Sequence, residues 1–141
     1  MARALPIICA ALAMTLLTAC EAERDTPLDE LFPPQAGQYL RAQGPSPDPA
    51  TGVDQAVYQG PEGIILLRIK RVGKDQVAHA LSQLPPAATD IRADPALGQR
   101  QGTFFTFGGQ FHAAWGNRDW VFVLSAPSDA ARIVFLAGYG Y

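Results

Sequence analysis

A chain of 141 residues accommodates one domain of ordinary size. Its 48% hydrophobic and 17% charged content excludes a wholly disordered chain. The formal net charge is −2, and the absence of a basic excess argues against nucleic-acid binding.

The first residues differ from the rest. Arg3 gives a short positive start, and residues 5–17 are almost entirely apolar. At about 1.5 Å per residue such a run reaches only ~20 Å, short of a ~30 Å hydrocarbon core, so its length suits a signal peptide better than a membrane span. Charge begins at once after Cys20, with Glu21, Glu23, Arg24 and Asp25. The stretch Leu17-Thr18-Ala19-Cys20 resembles the lipobox of bacterial lipoproteins. The resemblance covers residues 1–20 only. It implies a signal peptide over 1–19, cleavage before Cys20, a diacylglyceryl group on the Cys20 thiol and acylation of the new amino group. Two or more acyl chains hold a protein stably on a membrane. The sorting rule of enteric bacteria retains lipoproteins with Asp after the cysteine in the inner membrane. Glu21 therefore points to the outer membrane, facing the periplasm. Cys9 would leave with the signal peptide, so the mature domain would have no thiol for a disulfide, a metal or a nucleophile.

The expected organisation is a lipidated cysteine with a flexible tether over 20–36, then a single domain over 37–141. Pro27, Pro33 and Pro34 flank Leu28, Leu31 and Phe32 in the tether, whose later part is expected to dock. A short strand is expected at 38–42. Alternating prolines at Pro45, Pro47 and Pro49 then argue against regular structure. Strands follow at 54–59 and 64–72, joined by the turn Gly60-Pro61-Glu62-Gly63. The spacing of Val77, Ala78, Ala80, Leu81 and Leu84 predicts a helix over 75–84, stopped by Pro85-Pro86. Residues 85–98 read as a long loop. Gly108-Gly109 predicts a hairpin between strands 103–107 and 110–115, and a strand at 120–126 completes a meander. Ser128 is the expected N-cap of a last helix ended by Gly138 and Gly140. The expected fold is α+β: a single antiparallel sheet of five or six strands with two helices on one face, arranged as a βββα pseudo-repeat.

Chemistry is sparse. His79 and His112 fall short of a zinc ligand set. Ser46, Ser82, Ser125 and Ser128 lie in no nucleophile motif, and no phosphate-binding glycine loop is present. Asp90, Asp94 and Glu62 lie at turns or in a loop, as solvated acids do. Arg68, Lys70, Arg71 and Lys74 read as a soluble sheet edge. No catalytic, cofactor or metal site is expected. Ten of the 13 aromatics fall in 104–141, enough for a core and for an outward-facing patch. The resulting expectation is a non-enzymatic binding or assembly module of the cell envelope. Its partner surface would lie on the sheet around Tyr58, Trp115 and Trp120, with a small-ligand carrier or an unfamiliar hydrolase as the alternatives.

Overall fold

A computed structural model describes residues 20–141. The expected signal peptide, Cys9 included, lies outside the described residues. Eight strands form one antiparallel sheet: β1 (Gln35–Ala36), β2 (Tyr39–Pro47), β3 (Asp54–Gly60), β4 (Gly63–Arg71), β5 (Thr89–Arg92), β6 (Gln101–Phe107), β7 (Gln110–Asn117) and β8 (Trp120–Ala126). Their order across the sheet is β1-β2-β3-β4-β8-β7-β6-β5. Among the described residues three short α-helices accompany it: α1 (Leu28–Leu31), α2 (Val77–Ser82) and α3 (Asp129–Gly138).

Side chains alternate across each strand, so register fixes two faces. The inner face carries Ile65, Leu67 and Ile69 of β4, Phe122 and Leu124 of β8, Ala113 and Trp115 of β7, and Phe104 of β6, all buried. Helix α3 covers this face with Ala131, Phe135 and Leu136. Its start is capped as expected, Ser128 Oγ accepting the Ala131 N–H at 3.1 Å. The outer face carries Arg68, Val121, Val123, Ser125, His112 and Phe105, and α2 lies on it.

The expected architecture therefore needs correction. The sheet has eight strands, because β1 and β5 are too short to show a periodicity in sequence. The two longer helices lie on opposite faces. The inner face is crowded with large side chains and takes the strongly apolar α3. The outer face offers Ala114, Gly116, Val121 and Val123 to a helix with no fully buried residue. Gly73, at φ +88, turns the chain from β4 toward that side. A pseudo-twofold relating antiparallel β4 and β8 would keep each helix on the same face, so the βββα repeat does not hold.

Two local expectations also change. Pro45 and Pro47 belong to β2. Beyond Arg41, whose N–H donates to Pro34 O, that strand has no neighbour on its free edge, so a missing N–H costs no ladder bond. Two register shifts against β3 absorb the distortion. The expected tether is docked at both ends. Ala22, Leu31 and Phe32 are fully buried. The Cys20 N–H donates to Gly140 O at 2.5 Å. Asn117 grips the chain twice, Nδ2 donating to Cys20 O at 2.6 Å and Oδ1 accepting the Ala22 N–H at 2.9 Å. Trp120 Nε1–H donates to Glu23 O at 2.8 Å. Farther on, the Tyr139 and Tyr58 hydroxyls donate to Leu31 O (2.5 Å) and Pro33 O (2.8 Å). The segment's prolines do not mean missing order, and Pro27 directly precedes the short helix α1.

Candidate functional site

Tyr58, Trp115 and Trp120 do not form the surface expected of them. Tyr58 and Trp115 are fully buried and Trp120 is 6% exposed. Trp115 stacks on Phe122 with centroids 5.3 Å apart, and Tyr58 meets the Phe135 ring edge-on at 5.2 Å. A sheet face closed by one ten-residue helix and a short N-terminal segment needs large rings to fill its core, and these supply them.

The outer face is more open. Register aligns Val57, Leu66, Ser125, His112 and Phe105 in one row across β3, β4, β8, β7 and β6. Where α2 crosses this row, a groove of about 260 Å³ remains. Leu81, Leu84, Phe105, Phe107 and Val123 form apolar walls, and Arg68, Gln83, His112 and Ser125 are its polar groups.

His112 is the best-ordered polar group there. Its Nε2 lies 3.1 Å from Phe107 O, and a carbonyl can only accept, so Nε2 carries the proton. Nδ1 is then bare and accepts the Ser125 hydroxyl at 2.9 Å. The ring stacks on Phe105 at 4.9 Å. Burial pushes its pKa down from the usual 6.5, against the opposing pull of the Phe107 carbonyl, and the ring is neutral at pH 7. Behind the strand, His112 O accepts from Arg132 Nη1 at 2.8 Å, which ties the site to α3.

A serine hydroxyl donating to a bare imidazole nitrogen is one component of nucleophile activation. The others are not assembled beside it. His112 is oriented by a carbonyl and not a carboxylate. Ser125 sits inside β8, whose backbone is laddered to β4 and β7 on either side, so its neighbouring N–H groups lie in the sheet and cannot converge on an oxyanion. The arrangement suits binding: fixed polar points in an apolar groove. His79 is exposed on α2 and does not join His112. Among the described residues no cluster of His, Cys, Asp or Glu is placed to hold a metal.

Fold, not sequence, has a counterpart. The chain matches no family model. No curated protein matches it either. Its fold is similar to the crystal structure of a Thermotoga maritima protein described as a GTP binding regulator, at a TM-score of 0.56 and 14% identity over 88% of this chain and 93% of that one. At such identity the likeness is one of fold alone.

The remaining basic residues fall elsewhere. Arg71 and Lys74 line an open cleft with Arg24, shared with Asp75 and Asp119. Opposite charges interleave there, as on a solvated surface. Sequence reasoning missed Arg132, although an arginine inside the apolar stripe of α3, three residues after Asp129, is a readable signal. It also missed Arg100, which satisfies itself on the carbonyls of Leu97, Leu136, Tyr139 and Tyr141 and whose pKa burial pushes down. Nothing local in the sequence marks that role.

Proposed function

We propose that the protein is a lipoprotein of the bacterial envelope, anchored through Cys20 in the outer membrane and facing the periplasm, whose domain binds a partner without catalysing a reaction. The order of positive start, apolar run and lipobox supports the anchor. One observation carries the binding reading: beyond α2 the outer face exposes large apolar side chains among polar ones. Leu40 and Ile64 are 58% and 56% exposed and share one row through Gln59. The next row, Val57 and Leu66, runs into the groove beside α2. Large apolar side chains grouped on one exposed sheet face mark a contact surface more often than ones scattered singly do.

A photo-crosslinking residue at position 64 in intact cells tests this reading. A discrete adduct is expected, lost when Leu40→Asp is added and kept when an exposed residue at the far edge, such as Asp90, is changed. Adducts that form equally from every surface position count against it. For the anchor, wild-type protein is expected in the detergent phase on partitioning at neutral pH, and Cys20→Ala in the aqueous phase. The groove supports a second reading, carriage of a small apolar ligand with Arg68 at its mouth; displacement of a fluorescent apolar probe by lysate lipids would favour it. Turnover of an ester probe, lost in Ser125→Ala, would favour hydrolysis over both. GTP binding is not carried over from the fold counterpart: Gly108 and Gly109 join two strands here and do not lead into a helix.

A further inference from the structure

We infer that the acylated protein stands on its bilayer in one fixed orientation, with the β7–β8 turn at the membrane and Leu40 and Ile64 held away from it. This rests on the proposed anchor at Cys20.

A flexible tether over residues 21–36 would have a reach of roughly 22 Å, enough for the domain to tumble freely. The structure leaves no such slack. Cys20 is bonded through its N–H to Gly140 and through its carbonyl to Asn117. Ala22 is buried and bonded to the same Asn117, and Glu23 O is held by Trp120. Both partners sit where β7 turns into β8. Gly140 is in turn fixed by Arg100, which binds the carbonyls of Tyr139 and Tyr141 on either side of it. A lipid on Cys20 thus attaches to the body of the domain, not to a leash.

Antiparallel register shows what that end contains. Trp120 pairs with both Asn117 and Arg71, so the β7–β8 turn and the link from β4 to α2 lie together. The Gly60–Gly63 turn closes the other end, and Ile64 stands beside it. Along β4, Ile64 is about 24 Å from Arg71 at ~3.4 Å per residue. Charge does not set this orientation, because Arg71 and Lys74 share their cleft with Asp75 and Asp119. Packing and hydrogen bonds at Cys20–Glu23 set it. The exposed apolar pair is then presented to partners in the periplasm and not to the anchoring bilayer.

The test uses the mature lipidated protein in phospholipid vesicles. With Cys20 acylated, an introduced cysteine is the single thiol, so a fluorophore goes on Gln76→Cys near the anchored end or on Glu62→Cys at the far end. A quencher carried at headgroup depth is expected to quench the label at 76 at least about threefold more than at 62, given the length of the strands between them. Adding Asn117→Ala is expected to bring the two toward equality. Mass spectrometry of the same samples reads the acyl groups on Cys20. Acyl mass with equal quenching at both sites, or an unchanged ratio in the Asn117 variant, overturns the fixed orientation and leaves the anchor standing. Absence of acyl mass overturns both.

Discussion

Arg132 is the one charged side chain fully buried among the described residues. It lies over the Phe104 ring at 3.8 Å, donates to His112 O and pairs with Asp129 one turn back. Asp129 is half exposed and rehydrates if its partner is lost, so the cost of Arg132→Ala falls on the ring contact, the carbonyl bond and the cavity left. Together these predict a loss of about 2–4 kcal/mol, read by urea unfolding. Arg132→Lys is expected to recover only part of it, because an ammonium cannot serve the ring, the carbonyl and the carboxylate as a planar fork does. His112 adds a pH dependence. Its folded pKa lies below the usual 6.5, so the unfolded chain takes up the proton first as pH falls. The stabilisation is complete above about 6.5 and is lost as pH drops through the folded value, where a protonated Nδ1 can no longer accept from Ser125. His112→Phe keeps the stack on Phe105 and is expected to flatten the decline in thermal midpoint between pH 7 and 5. A variant that declines as steeply as wild type would show that other groups govern it.

At the scale of elements, α2 has no buried residue and is the helix that shapes the groove. Its sequence periodicity over 75–84 is real, but α-helix spans only Val77–Ser82, with a 3₁₀ turn before it. Asp75 makes no side-chain cap. The seat of the helix is Gly116: a Cβ there would lie 2.4 Å from Val77 Cγ1. Gly116→Val is therefore expected to lift the start of α2 and speed amide exchange in 77–82, while β7 and β8 keep their protection. Uniformly faster exchange across the sheet would mean that α2 is integral to the core and not a cover. The other boundaries were legible where turn chemistry is strong. Gly108-Gly109, Gly60 to Gly63 and Ser128 all sit where the residues predict. What was not legible is which face a helix takes, since that depends on how the apolar load divides between the two faces once all strands are paired. Single-strand alternation cannot say which face is covered, so Tyr58, Trp115 and Trp120 read as a surface in the sequence and belong to the core.

For the whole molecule the decisive contact is the segment 20–34, which sequence composition presents as a tether and packing makes part of the domain. Leu31 and Phe32 are fully buried, and each such side chain contributes roughly 1.5–3 kcal/mol by leaving water. Their joint share, about 3–6 kcal/mol, is comparable with the whole stability of many domains, about 5–15 kcal/mol. The hydroxyls of Tyr139 and Tyr58 would also lose their carbonyl partners inside the fold. A chain starting at residue 35 is therefore expected to unfold at a much lower urea concentration than one spanning 20–141, or not to fold. A separate peptide of residues 20–34 should raise its midpoint in a concentration-dependent way, because it binds only the folded state. Leu31→Ala with Phe32→Ala in the longer chain reports the same contribution without altering chain length. If all these proteins unfold together, the segment is the spacer its prolines suggest, and the orientation it imposes on the domain is lost with it.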